Sequence, residues 1–461
     1  MSNRKHLASL LALLTTTMLA ACVDVPGPQE SQIAAPDFWN STKSVQGVQA
    51  TEIDQSWWAH FDDPVLNGLV SEALENNKNL QIAQQRVAAA RADREFARSA
   101  LFPQLNATAD ASRGNQGYYS GNKTVGLADA NLSASWELDL FGRNQAATAQ
   151  AAALIAAAEA DRDAVRVGLL AELARNYFDL RHDQRQIALT RQNLATQQDT
   201  LRVTRVQLQG AIASEFDVQR AAAQVSTTEA LIPSLQSAED AARNRITSLL
   251  GLKPGSKDAV LGQDAVLKPL DQHILIAAPA VVIAARPDVR AAERRFAASI
   301  SAKDVATRAL LPDISLTALF GQQTATPFSS TPFSVGGSLV LPILNFGRLE
   351  SRIDAADAQQ KQAFLTYQQI VLEALENMEN MLSAYLHEAQ RNAALTSAEA
   401  QNRKAVDLAR RQYSAGYVSL LDVLVAERSL LDAQSAKTGS DLAMRVDLAN
   451  VYAAAGGGWR E

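Results

Sequence analysis

The chain has 461 residues, a formal net charge of −6 and only 6% aromatic residues. With no basic excess to neutralise phosphates, nucleic acid is excluded as a partner. A single cysteine excludes an intrachain disulfide, and the length suggests two or three domains.

Residues 1–21 read as a secretory signal. Arg4, Lys5 and His6 give a positive start, and the apolar run Leu7 to Leu14 is too short to span a bilayer. Leu19-Ala20-Ala21-Cys22 then resembles the bacterial lipobox, in which the cysteine is acylated and becomes the new N-terminus. Val23, not aspartate, follows, which in such lipoproteins implies sorting to the outer membrane. Residues 22–60 form an extended, lipid-anchored segment, rich in Pro, Gln, Ser and Val and without helical period. Trp57-Trp58-Ala59-His60-Phe61 closes it, with aromatics expected to pack on the folded body.

Pro64 opens a helix, where its missing N–H costs nothing. Val65, Leu66, Leu69, Val70, Ala73, Leu74, Leu80, Ala83, Val87 and Ala90 continue at helical spacing, predicting one helix as far as Leu101. Leu105, Ala107, Ala109 and Ala111 alternate with polar residues, as do Leu132, Ala134, Trp136 and Leu138. Gly114, Gly117 and Gly121 place a loop between them, so a β-hairpin is expected. Each strand is about ten residues long, the length of a tilted membrane strand, with one apolar and one small polar face.

Gln145 to Gln209 runs without proline and with Gly168 as its one glycine. At 1.5 Å per residue this predicts a helix on the order of 95 Å. Leu173, Leu180, Ile187, Leu194, Leu201 and Leu208 recur every seven residues, a thin coiled-coil seam. A second helix should return from about Ser214 to Leu250.

Pro254, Gly255, Pro269 and Pro279 mark a connector that reads as irregular, and Arg286-Pro287-Asp288 starts the next helix. Ile314, Leu316, Ala318 and Phe320, then Val335, Gly337, Leu339 and Leu341, predict a second hairpin. Phe364, Tyr367, Val371, Ala374, Met378, Met381 and Tyr385 form a second seam spaced 3-4. A last helix reaches about Ala455 before Gly456-Gly457-Gly458-Trp459.

The chain thus repeats itself. Trp136-Glu137-Leu138-Asp139-Leu140-Phe141-Gly142-Arg143 returns, altered, as Leu341-Pro342-Ile343-Leu344-Asn345-Phe346-Gly347-Arg348. Leu101-Phe102-Pro103 matches Leu310-Leu311-Pro312, and Arg205 … Gly210 … Asp217 matches Arg411 … Gly416 … Asp422. The divisions are a signal peptide 1–21, a lipid-anchored segment 22–60, a first repeat 61–251, a connector 252–285, a second repeat 286–455 and a tail 456–461. The first repeat reads as helix, β-hairpin and long helical hairpin.

No enzyme chemistry emerges. His6, His60, His182, His273 and His387 are scattered, and Arg391 stands where a zinc motif beginning at His387 would need its second histidine. No phosphate-cradling loop or G-x-S-x-G elbow occurs. No catalytic residue, metal or cofactor is expected beyond the lipid on Cys22. Four membrane-length strands cannot close a barrel, which needs at least about eight. An open sheet in lipid leaves edge backbone groups unpaired at several kcal/mol each, so the chain must oligomerise, as a dimer or a trimer.

Together, Trp57-Trp58-x-x-Phe61-x-Asp63-Pro64, Trp136 to Arg143, Arg286-Pro287-Asp288, Asn345-Phe346-Gly347-Arg348 and Gly456-Gly457-Gly458-Trp459 resemble the lipoprotein branch of the TolC-like outer-membrane factors, the exit ducts of tripartite efflux pumps. The resemblance implies a mainly α fold with β. Long antiparallel coiled-coil hairpins join four membrane strands per chain, and a homotrimer forms a twelve-stranded β-barrel and a periplasmic α-helical barrel. It implies a periplasmic adaptor and an inner-membrane efflux transporter as partners, and an outer-membrane location extending into the periplasm. It puts the tips at Gly210 and Gly416 at the adaptor, each expected to turn the chain as a left-handed residue.

Leu421 is expected to close the pore, and Asp422 to latch the helices through Arg411 or Arg428. In the family an aspartate commonly precedes Ala-x-Arg in this hairpin; here Val425 stands before Ala426-Glu427-Arg428, which puts an acidic ring in doubt. The alternative is a lipid-anchored periplasmic coiled-coil scaffold without a pore; a substrate-specific porin would not spend most of its chain on helices. A wide duct selects little, so the sequence does not name the substrates.

Overall fold

The computed structural model describes residues 35–42, 49–50, 53–115, 124–263, 267–268, 270, 275–325 and 328–459. The signal segment and Cys22 lie outside the described residues, as do the loop glycines Gly117 and Gly121.

Helix α1 (Pro64–Asn76) begins with proline in its first turn, and the Asp63 carboxylate accepts from the Val65 and Leu66 N–H groups at 2.9 and 3.3 Å. Helix α2 (Lys78–Ser99) follows as a separate element, where one continuous helix was expected. Asn77 makes the break. Its backbone is extended, its side chain caps the Leu80 N–H at 3.0 Å, and its Nδ2 donates to the Leu249 carbonyl at 2.8 Å. A long-range bond thus overrides a periodicity that runs straight through.

Strands β1 (Gln104–Asn115) and β2 (Thr124–Leu138) pair antiparallel, and β1 includes Gly114, which was expected in the loop. Helix α3 (Arg143–Gln209) is 67 residues long. The returning arm is not one helix but two, α4 (Glu215–Glu229) and α5 (Leu231–Leu249). Pro233, third in α5, offers no N–H to the Glu229 carbonyl and crowds it, so the helix must restart near Ala230.

The connector, expected to be irregular, contains a short helix at Asp258–Leu261 and helix α6 (Pro279–Ala285). Helix α7 (Pro287–Arg308) leads to β3 (Asp313–Ala325), β4 (Phe328–Ser330) and β5 (Phe333–Val340). Strands β4 and β5 pair with β3 in one uninterrupted register, Ala325 opposite Phe328 and Asp313 opposite Val340. They are one strand broken at Thr331-Pro332, where proline cannot donate to the ladder. The sheet order is β1-β2-β3, with β4 and β5 both on β3. Helices α8 (Arg348–Ser414, 67 residues) and α9 (Leu420–Ala454) complete the chain.

The main core gathers where the long helices pass the ends of the chain. Trp57, Leu66, Leu170, Leu173, Tyr177, Phe178, Ile246, Met378, Leu382, Leu448 and Tyr452 are buried together. Trp57 stacks on Tyr452 at 6.0 Å, so the aromatics of the first folded turn pack on the body as expected. The glycines after α9 allow the tail in: a Cβ on Gly458 would meet Leu170 at 2.8 Å. Of the first leucine seam, Leu173, Leu180, Ile187 and Leu201 are buried, while Leu194 and Leu208 are half-buried. A smaller cluster of Leu201, Val218, Ala221, Leu420 and Leu424 joins the two hairpins near their tips.

Candidate functional site

The sheet sorts its side chains by register. Ala107, Leu132, Phe320 and Phe333 stand opposite one another across the strands, as do Leu105, Ala134, Ala318 and Val335. On the alternate face run Gln104, Ser135, Thr317 and Gly336, then Asn106, Ser133, Leu319 and Ser334. One face is therefore mostly apolar, with Arg113, Gln322 and Thr324 as exceptions toward the loop end, and the other small and mostly polar, because side chains alternate with a period of two and the register is unbroken. The apolar face is not covered by the chain: Phe333 and Val335 are 79% and 86% exposed. Among the described residues no helix is long and apolar enough to cross a membrane.

Two handovers carry the sheet into the long helices. In the first, Arg143 bridges Glu137 at 2.7 Å and Asp313 at 3.0 Å. The Asp139 carboxylate accepts from the Asn144 and Gln145 N–H groups at 3.0 and 2.8 Å, capping α3. Gly142 takes φ +76°, and its carbonyl accepts from Arg308 Nη1 at 2.7 Å. The second handover repeats the left-handed glycine at Gly347, φ +83°, without the charged bracing. Asn345 Oδ1 accepts from the Leu349 N–H at 3.4 Å, while Ile343, Leu344 and Phe346 are 75% exposed or more.

At the far ends of the helices the two tips have the same backbone design. Gly210 and Ala415 end α3 and α8, and the Ile212 and Tyr417 N–H groups reach back to the Gln207 and Gln412 carbonyls at 2.9 and 2.8 Å. These are Schellman closures. Their left-handed residues are Ala211, φ 56°, and Gly416, φ +79°. Gly210, at φ −81°, is not left-handed, contrary to expectation. The backbone aligns Ala211 with Gly416 and Gly210 with Ala415, so sequence matching of glycine to glycine is off by one position. Ser214 and Ser419 then cap the returning helices in matching capping boxes with Asp217 and Asp422.

That geometry corrects the role expected of Asp422. Its carboxylate accepts from the Ser419 hydroxyl at 2.6 Å and the Ser419 N–H at 2.9 Å, and no described ion pair joins it to Arg411 or Arg428. The Ser419 hydroxyl, then its N–H, hold this carboxyl below the usual range. Near the tips, the charged group that ties the hairpins together within the chain is Glu427, which sequence reasoning passed over. It is 4% exposed, and its Oε1 accepts from Arg410 Nη2 at 2.7 Å, Arg410 Nε at 3.1 Å and Thr200 Oγ1 at 2.9 Å. One carboxylate oxygen thus holds α8, α9 and α3. Tyr413 adds a second link by donating to Gln207 Oε1. The only hint in the sequence was an acid at a seam position, three residues after Leu424.

Leu421 is 43% exposed and Val425 is 55% exposed, one turn apart on the open side of α9. Leu420, Val423 and Leu424 face inward instead. Exposed Ile212, Phe216 and Tyr417 lie at the same end. The structure therefore brings Leu421, Asp422, Gly416 and Gly210 to one end of the helices, with Leu421 uncovered within the chain.

A sheet with one bare apolar face, joined to two long helical hairpins, is the architecture of an outer-membrane channel. The description "Outer membrane efflux protein" fits a family profile that matches residues 69–252 and 279–457, and the chain belongs to this family. It is 30% identical to the pyoverdine export outer membrane protein OpmQ of Pseudomonas aeruginosa, over 99% of this chain and 98% of that one. It is 30% identical to nodulation protein T of Rhizobium leguminosarum bv. trifolii, over 90% and 89%. The solved outer-membrane channel OprN superposes with a TM-score of 0.86 at 32% identity, covering 95% of this chain and all of that one. The protein is an outer-membrane efflux channel of the TolC-like class, a transport conduit and not an enzyme.

Proposed function

We propose that three copies of this chain close a twelve-stranded barrel in the outer membrane and a helical barrel in the periplasm. The carrying observation is the sheet itself. Its outer strands β1 and β5 are exposed along their length, and among the described residues nothing pairs with their free edges. In lipid such edges must be satisfied by another strand, and an even count of at least about eight is required for closure. Mass measurement of the detergent-solubilised protein tests this: a trimer is expected, and a monomer or dimer as the main species rejects it.

The duct is passive. An inner-membrane pump supplies energy and a periplasmic adaptor docks on the helical tips around Gly210 and Gly416, where Ile212 and Tyr417 stand free. Leu421 supplies an apolar ring that closes the resting pore by dewetting. Leu421→Ser should raise single-channel conductance without loss of trimer; a mutant that assembles and stays closed removes Leu421 from the gate. Cys22 carries the lipid. Its position after the Leu19-Ala20-Ala21 run supports this, and Cys22→Ser should abolish palmitate labelling.

A further inference from the structure

A cavity of about 510 Å³ lies between α3 and α9, away from the tips and the sheet. It has the size of small-molecule sites. Four of its lining side chains are cationic: Arg181 and Arg185 one turn apart on α3, and Lys437 and Arg445 two turns apart on α9. Among the described lining residues only Asp441 and Glu399 are anionic, and both are already engaged. Asp441 accepts from Lys437 Nζ at 2.6 Å and from Asn392 Nδ2 at 2.9 Å, and Glu399 pairs with Arg403 at 2.6 Å. The remaining titratable neighbour, His182, donates Nδ1–H to the Thr438 carbonyl at 3.2 Å, and burial lowers its pKa.

The two inner arginines are unusual. Arg181 is 3% exposed and Arg445 8% exposed, yet among the described residues neither has a carboxylate within hydrogen-bond distance. Arg181 donates Nη1 to Gln184 Oε1 at 2.8 Å and to the Gln263 carbonyl at 2.6 Å, and its Nε has no partner. Arg445 donates to the Asp441 and Lys268 carbonyls at 2.8 and 2.9 Å. The carboxylate of Asp63 reaches Arg181 only indirectly, through the Tyr177 hydroxyl 2.5 Å from it. The charge of Asp441, one turn earlier on α9, partly offsets Arg445, but Lys437 already shares that carboxylate, and a buried guanidinium left short of counter-charge is costly. A planar fork of donors with an unused N–H suits an oxyanion.

The geometry points to this cavity as a binding site for a small oxyanion carrying two or more negative charges, held between Arg181 and Arg445 with the exposed Arg185 at its mouth. Such an anion would compensate the guanidinium charges and tie α3 to α9. It need not pass through the duct, so the inference does not depend on the gate or on the number of chains.

The test uses the purified detergent-solubilised protein and inorganic pyrophosphate, at ionic strength held constant with sodium chloride. Thermal unfolding should shift upward and saturate as pyrophosphate is added. Arg185→Gln, an exposed change that should not impair folding, should weaken the midpoint about tenfold, the loss of one charge-assisted contact. Arg191→Gln removes an equal charge farther along α3, outside the cavity lining, and should leave the midpoint unchanged. No shift, or an unsaturating shift of equal size in all three proteins, overturns the site. So does an unchanged midpoint in Arg185→Gln.

Discussion

The two halves of this chain share one backbone plan and differ in what stabilises it. Helices α3 and α8 are both 67 residues long, and the left-handed glycines, the Schellman tips and the capping boxes recur at matching positions. In the first half the sheet-to-helix handover is braced by Arg143, Glu137, Asp313 and Asp139. In the second half the same turn presents Ile343, Leu344 and Phe346 to the outside. At the tips the asymmetry reverses. The second half supplies the tight glycine and the buried carboxylate Glu427, where the first half has Ala211 and, in the position matching Glu427, Ala222. Duplication preserves the backbone path because hydrogen-bond closure demands it. Side chains are free to diverge wherever one copy alone can hold the junction.

The largest effect should come from removing the tie that only the second half has. Glu427→Ala removes the buried carboxylate that the part-exposed Arg410 and Thr200 share, and losing these hydrogen bonds to a charged acceptor costs about 3 kcal/mol. Hydrogen exchange of the amides from Val423 to Leu431 should accelerate by roughly two orders of magnitude. Unchanged protection would place the tie elsewhere.

The handovers come next. Gly142→Ala places a Cβ 2.3 Å from Arg308 Nη1 as well as straining a positive φ, whereas a Cβ on Gly347 meets nothing within 4 Å. The first should cost about 2–3 kcal/mol, the strain plus a charge-assisted hydrogen bond, and the second about 1. Urea midpoints of the two variants measure the gap, and equal losses would mean that the Arg308 contact contributes nothing.

A smaller, opposite-signed pair lies at the tips. Ala211→Gly should slow local exchange and Gly416→Ala should speed it, each by about 1 kcal/mol, because the same left-handed position is held by alanine in one tip and glycine in the other.

The smallest effect is pH-dependent. Burial, then the charges of Asp179 and Glu239, push the Asp183 carboxyl up to about 6 from an ordinary 3.8. Its counterpart Glu388 is instead satisfied by Arg391 Nη1 at 2.9 Å and by the Ser440 hydroxyl. A carboxyl with a raised native pKa contributes its stability below its unfolded pKa and loses it as pH rises through the native one. Asp183→Asn should therefore raise the Tm at pH 8 and leave it unchanged below about pH 4. A difference that persists at pH 3.5 would assign the effect to packing rather than charge.

The sequence by itself determined the duplication, the long helices, the alternating strands and the membership of the family. Those features are written in periodicities and in residues such as Pro64, Gly347 and Pro287, whose backbone demands are local. Pro233 was equally legible and marks the break between α4 and α5, yet periodicity alone runs through it. What only the tertiary structure decided depends on partners distant in the chain. Asn77 splits a helix because the Leu249 carbonyl waits for its amide. Ala211, not Gly210, takes the left-handed turn because the closure to Gln207 sets the position, whatever residue stands there. Asp422 is absorbed by its own helix cap, and Glu427 becomes the hairpin tie, because Thr200 and Arg410 arrive beside it from two other helices. Spacing along one chain carries no record of such meetings. They are fixed by packing, which brings a buried charge its partners from elements distant in the chain.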